Sequence, residues 1–219
     1  MNKNRNKAII TWGVISVAFI LFVIFVYLPY AGRQSKTTKF ADALVASPKL
    51  REPVKEVPPF QFTNQMGKII TEQDVQGKVY VADFFFTSCD AACPMMSTQL
   101  TRIQNAIDDT ASFRIVSYSL DPENDSIPIL KAFARKFEAN SNMWYLLTGD
   151  KEEIYKLGEQ GYLQTVLNDQ NSFLNHSQKF ILVDQNRMIR GFYNGLDSAE
   201  VDLLIQDIRF LLYKKDDRL

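Results

Sequence analysis

Thiol and imidazole are scarce in this chain. Among 219 residues there are two cysteines, Cys89 and Cys93, and one histidine, His176. A closed structural zinc site takes four ligands. Only three thiol and imidazole donors exist here, so such a site would need an Asp or Glu to complete it. Cysteines so closely spaced also make a poor structural staple, because the stabilisation from a disulfide grows with the loop it closes. No proline follows Pro128, and there is neither an internal repeat nor a low-complexity tract. Neither sign of charge dominates, with 25 Lys and Arg against 25 Asp and Glu. Residues 1–58 carry nine basic and three acidic side chains (+6), which leaves 16 and 22 (−6) for residues 59–219. A mildly acidic folded part argues against nucleic acid as a partner.

Charge is missing altogether from Ile9 to Leu28, twenty residues broken only by Thr11, Gly13 and Ser16. An α-helix needs about 20 apolar residues to cross the hydrocarbon layer, whereas a secretory signal has about 7–15 followed by small residues at a cleavage site. This run ends in Tyr27-Leu28-Pro29-Tyr30, a poor cleavage site, and no cysteine lies near to accept a lipid. Residues 9–28 are therefore expected to form an uncleaved transmembrane anchor. Lys3, Arg5 and Lys7 place residues 1–8 on the cytoplasmic side, so the bulk of the chain faces the extracytoplasmic side. No Arg- and Ser-rich presequence precedes the run, which favours a bacterial cell (inner) membrane and a periplasmic domain. Residues 29–58 contain Pro48, Pro53 and Pro58 and no sustained apolar period, and read as a linker. Residues 59–219 remain as the folded domain.

Within that domain strands and helices alternate. Residues 60–62 and 68–70 flank Asn64-Gln65-Met66-Gly67 as a hairpin. Residues 78–86 form a continuous apolar run, the pattern of a strand buried on both faces. Residues 94–107 place Met96, Leu100, Ile103 and Ile107 on one helical face. A strand over 113–120 follows, then a helix over 126–137 with Pro128 in its first turn, where a missing N–H costs nothing. Further expectations are a strand at 144–147, a helix opened by Asp150, strands at 179–183 and 188–193, and a last helix capped by Ser198. Residues 161–175 read as a surface loop. The sum is an α/β domain, a central mixed sheet flanked by helices.

The thiol pair falls between the buried strand and the helix after it. Loops at the carboxyl ends of sheet strands are where α/β proteins place their chemistry. A spacing of four sets two side chains on one side of a helical turn, about 5–6 Å apart at Cβ. Small rotations then bring both sulfurs onto one ion, and the helix N-terminus favours thiolate over thiol. Soft thiolates prefer Cu(I) or Zn(II), and imidazole suits copper in both oxidation states. Cys89, Cys93 and His176 are the candidate ligands. The same pair can instead be a redox dithiol. Against that, thioredoxin-type oxidoreductases use two intervening residues and a cis-proline opposite the pair, and Ser88 stands where they carry Trp. Peroxiredoxins have Thr three residues before the reactive cysteine, where this chain has Phe86. Met95 and Met96 read as helix packing, and Asp90 and Asp121 as turn and cap residues.

Residues 86–94, Phe-Thr-Ser-Cys-Asp-Ala-Ala-Cys-Pro, resemble the Cys-x-x-x-Cys-Pro motif of the Sco/SenC family of membrane-anchored copper chaperones. Ser-Leu-Asp-Pro-Glu-Asn-Asp (119–125), Leu-Thr-Gly-Asp (147–150) and His-Ser-Gln-Lys-Phe-Ile-Leu-Val-Asp (176–184) are similar as well. In order, they span most of residues 59–212. The resemblance implies a thioredoxin-like fold that holds one copper ion, Cu(I) or Cu(II), through Cys89, Cys93 and His176. It also implies a partner: the binuclear copper centre in subunit II of cytochrome c oxidase, to which copper is delivered or whose thiols are reduced. The Asp-Ala-Ala between the cysteines departs from the many relatives that carry a proline or a larger apolar residue there.

Overall fold

Seven residues without a polar face dictate the centre of this domain. Strand β3 (Val79–Phe85) is buried at every position, so it must be covered on both sides. Side chains alternate along a strand, and here Val79, Val81 and Phe85 enter one core while Tyr80, Ala82 and Phe84 enter the other. The computed structural model describes residues 49–164 and 178–216. The expected cytoplasmic segment 1–8, the expected anchor 9–28 and His176 lie outside the described residues. Among the described residues no helix is long and apolar enough to cross a membrane.

The remaining elements are β1 (Gln61–Asn64), β2 (Ile69–Thr71), α1 (Glu72–Val75), α2 (Ala92–Ala106), β4 (Phe113–Ser119), α3 (Ile127–Lys136), β5 (Trp144–Thr148), α4 (Lys151–Lys156), a π-turn (Leu157–Gly161), β6 (Lys179–Val183), β7 (Ile189–Asn194) and α5 (Ser198–Asp216). The sheet order is β2-β1-β5-β4-β3-β6-β7. Strands β3, β4 and β5 run parallel, with Val81 opposite Ile115 and Ile115 opposite Trp144. The outer pairs are antiparallel. This is the mixed sheet flanked by helices that the alternation of elements implies.

On the first face α2 buries Met96, Leu100 and Ile103, α3 buries Leu130 and Phe133, and α5 buries Val201, Leu204 and Ile208. Each such Leu, Ile or Phe contributes roughly 1.5–3 kcal/mol relative to an exposed side chain. The second core gathers Phe60, Phe62, Tyr118, Ile154 and Tyr162. Three of its tyrosine hydroxyls satisfy one another, Tyr118 with Tyr162 at 2.9 Å and Tyr162 donating to Tyr80 at 3.3 Å. Tyr162 and Gln164 are buried, so the start of the loop expected at 161–175 is interior, and residues 165–175 lie outside the described residues. An aromatic ring in a polar stretch reads as loop until its burial is seen.

Three further findings correct the local reading. Residues 51–57, placed by composition in the linker 29–58, run beside β7: Val54 N–H donates to Ile189 O at 3.0 Å, Ile189 N–H to Lys55 O at 2.8 Å, and Val57 is fully buried. Backbone pairing needs no apolar period, so a proline-containing segment without one can still join a sheet edge. Helix α5 is capped by Asp197, whose Oδ1 accepts from Ala199 N–H at 2.9 Å, while Ser198 Oγ accepts instead from Gln99 Nε2 at 3.0 Å. Helix α1, closed by a capping box of Thr71 and Asp74, is additional. Asp150 does cap α4, accepting from Glu153 N–H at 2.9 Å.

One charge interrupts β3. Asp83 is 2% exposed and accepts a hydrogen bond from Ser117 Oγ, which in turn accepts from Trp144 Nε1 at 2.9 Å. Burial raises its carboxyl from the ordinary 3.8 to about 7, with the Ser117 bond opposing. A pKa raised on folding adds stability that is complete below the unfolded value and is lost as pH rises through the folded one. Stability should therefore fall between about pH 4 and pH 7 on account of this group, by at most about 4 kcal/mol. Denaturant unfolding at pH 4.5 and pH 8, a range chosen to bracket about 7, checks this. The Asp83→Asn protein should gain on the unsubstituted one as pH rises, and a difference constant with pH would refute the assignment.

Candidate metal-binding thiol site

The site begins where β3 ends. Leu120 N–H donates to Phe85 O at 2.8 Å, the last rung between β3 and the continuation of β4. The chain then turns, with Cys89 N–H reaching back to Phe86 O at 3.4 Å. Helix α2 starts at Ala92, with Ala91 at the N-cap and no side-chain cap bond. The first N–H groups of a helix have no partner within it, and alanine supplies none. Cys89 takes that role: Cys93 N–H donates to Cys89 Sγ at 3.3 Å. The four-residue spacing thus brings the two cysteines onto one turn, as the sequence implies, and both are free thiols.

The two sulfurs differ in environment. Cys89 is partly exposed, and Cys93 is 6% exposed and packed in the first core. Partial burial acts to raise the Cys89 thiol, but hydrogen bonds from the Cys93 backbone and side chain and from the Ala91 and Ala92 backbone outweigh it, and the net direction is down. For Cys93, burial dominates and pushes the thiol far up. The hydrogen bond to Cys89 and the nearby charges of Cys89 and Asp83 push the same way, against a backbone bond from Phe86. Cys89 is thus the more readily ionised sulfur, and Cys93 the protonated, sheltered one. A soft cation binding both must displace the Cys93 proton, so uptake releases acid.

The loop carrying Cys89 is held from across the sheet. Thr87 donates through its N–H and its hydroxyl to the carboxylate of Asp125, a residue with no exposed surface. The sequence signals Asp125 only through its place in the 119–125 motif. Asp121 is the turn residue expected, its carbonyl accepting from Asn124 N–H and Asp125 N–H. Asp90 is exposed. Met96 packs in the core, while Met95 is 56% exposed on the first turn of α2. His176 lies outside the described residues, and among those described no group of three or more Cys, His, Asp and Glu side chains gathers as a metal site.

The asymmetry of the thiols is measurable. With the reduced protein, iodoacetamide should label Cys89 at least about tenfold faster than Cys93 at neutral pH. The rate at Cys89 should rise with a midpoint below 9.0, the ordinary thiol value. Peptide mass spectrometry across a pH series reads both quantities, and equal rates at the two sulfurs would overturn the assignment.

The SCO1/SenC family model matches residues 48–212. The crystal structure of a SCO1/SenC family lipoprotein from Bacillus anthracis str. Ames superposes with a TM-score of 0.68 at 36% identity, over 74% of this chain and 99% of that one. BsSco, described as a member of the Sco family of cytochrome c oxidase assembly proteins with a disulfide switch, gives 0.66 at 32% identity, over 73% and 95%. ScoI of Arabidopsis thaliana, solved with copper bound, shares the fold with a TM-score of 0.59 at 23% identity, over 71% and 99%. The match runs through both halves of the sheet and across the thiol turn, and on that extent the chain belongs to the SCO1/SenC family.

Proposed function

We propose that the protein is a membrane-anchored copper chaperone. In this reading it binds one copper ion through Cys89, Cys93 and His176 and delivers it to the binuclear copper centre of cytochrome c oxidase subunit II. Residues 9–28 anchor it in a bacterial cell membrane with the domain on the extracytoplasmic side. The observation that carries the reading is the thiol turn: two free sulfurs four residues apart, one partly exposed, with Cys93 N–H on Cys89 Sγ. Two thiolates and an imidazole suit three-coordinate Cu(I). Copper is cargo here, and the partly exposed Cys89 sulfur offers the entry point for ligand exchange with an acceptor thiol. Support for the metal comes from the copper-bound Arabidopsis relative, and for the destination from the oxidase assembly role stated for BsSco's family. The Bacillus anthracis relative is a lipoprotein. Here no cysteine precedes Cys89, so anchoring rests on the apolar run itself.

A second reading is favoured by the unequal thiols. A thiol–disulfide oxidoreductase needs an attacking sulfur and a resolving one. Cys89, with its lowered pKa and partial exposure, would attack an acceptor disulfide, and Cys93 would close the Cys89–Cys93 bond as the acceptor leaves with two thiols.

His176 separates the two. The full chain, reduced and in detergent, should take up one Cu(I) in competition with a chromophoric chelator. His176→Ala should weaken that binding by about tenfold or more while dithiol exchange with a model disulfide persists. Unchanged copper affinity in the variant would remove the imidazole from the ligand set. The Cys89–Cys93 disulfide form should bind no Cu(I), since it has no thiolate to offer.

A further inference from the structure

Asp125 is fully buried, yet among the described residues none of its partners is a cation. Its carboxylate accepts the Thr87 N–H at 3.3 Å on Oδ1 and 3.2 Å on Oδ2, the Thr87 hydroxyl on Oδ1, and the Ser119 hydroxyl on Oδ2 at 2.5 Å. Ser119 Oγ accepts in turn from Asp121 N–H at 3.1 Å, and Asp125 N–H donates to Asp121 O at 2.8 Å. Taking a carboxylate out of water without a compensating cation is costly. The turn before α3 is made by the backbone, through Asp125 N–H on Asp121 O, which leaves the carboxylate to other partners. What the charge does accomplish is to grip one residue twice, and that residue stands two places before Cys89.

We propose that Asp125 is a positioning residue for the thiol pair. Its double hold on Thr87 fixes the angle at which the chain leaves β3, and so places Cys89 Sγ over the first turn of α2, within reach of Cys93 N–H. A charged acceptor makes shorter and stronger hydrogen bonds than a neutral one, which suits a loop that has to keep two sulfurs in register. The residue touches neither sulfur; it acts through Thr87. The copper arm of the test rests on the chaperone reading, and the disulfide arm does not.

The experiment uses the full chain with Asp125→Asn, Thr87→Val and Thr87→Ser. Two equilibria are read on each: Cu(I) affinity against a chromophoric chelator, and the dithiol–disulfide balance with glutathione, in which one oxidised glutathione yields the Cys89–Cys93 disulfide and two reduced glutathiones. Outer residues that orient ligands typically change metal affinity about tenfold to a hundredfold. Asp125→Asn and Thr87→Val should each lower Cu(I) affinity about tenfold, and should shift the glutathione balance toward the dithiol by a similar factor as the two sulfurs lose their alignment. Thr87→Ser keeps both donors and should stay within about twofold of the unsubstituted protein. A purely structural role would lower the melting temperature and leave both equilibria within about twofold, and that result would overturn the proposal. So would Thr87→Ser behaving like Thr87→Val. If Asp125→Asn does not fold, the Thr87 pair decides. If the unsubstituted protein takes up no Cu(I), the chaperone reading fails and the glutathione balance alone decides on Asp125.

Discussion

A strand with no solvent face constrains everything around it. Because β3 must be covered on both sides, the chain has to supply helices to each, and the only open direction is along the strand axis. The thiol turn sits at that exit. Its backbone is tied at three places: Phe85 to Leu120, Phe86 to Cys89, and Thr87 to Asp125. The cysteines are thus presented by a rigid sheet, on a short turn whose start is fixed before the helix begins.

Polarity inside that sheet is confined to a few side chains with assigned partners. Asp83 and Ser117 face each other across the β3–β4 pair, in register, and Trp144 reaches the same serine from β5. Asp83 also adds to the field that keeps Cys93 protonated. The strand beneath the site therefore contributes to the inequality of the sulfurs, together with the burial that α2 imposes on Cys93.

Much of this was legible in the residues. The continuous run at 78–86 could only be a doubly covered strand, and Met96, Leu100, Ile103 and Ile107 all turn inward as their spacing requires. The thiol turn was legible for the same reason, since a four-residue spacing at a helix start leaves little freedom. What escaped was whatever depends on partners distant in sequence. Thr87 and Asp125 are 38 residues apart, and no local pattern couples them. Residues 51–57 join the edge of β7 through backbone groups, which every sequence possesses and none advertises. Tyr162 looked like loop because its neighbours are polar, though its ring is interior.

The bare alanine at the start of α2 has a consequence for oxidation. A thiolate is a strong acceptor, whereas a sulfur sharing its electrons in a disulfide accepts poorly. Closing the Cys89–Cys93 bond would thus weaken the acceptor that Cys93 N–H uses at the start of α2. Oxidation at this site would therefore register in the first turn of α2 as well as at the two sulfurs.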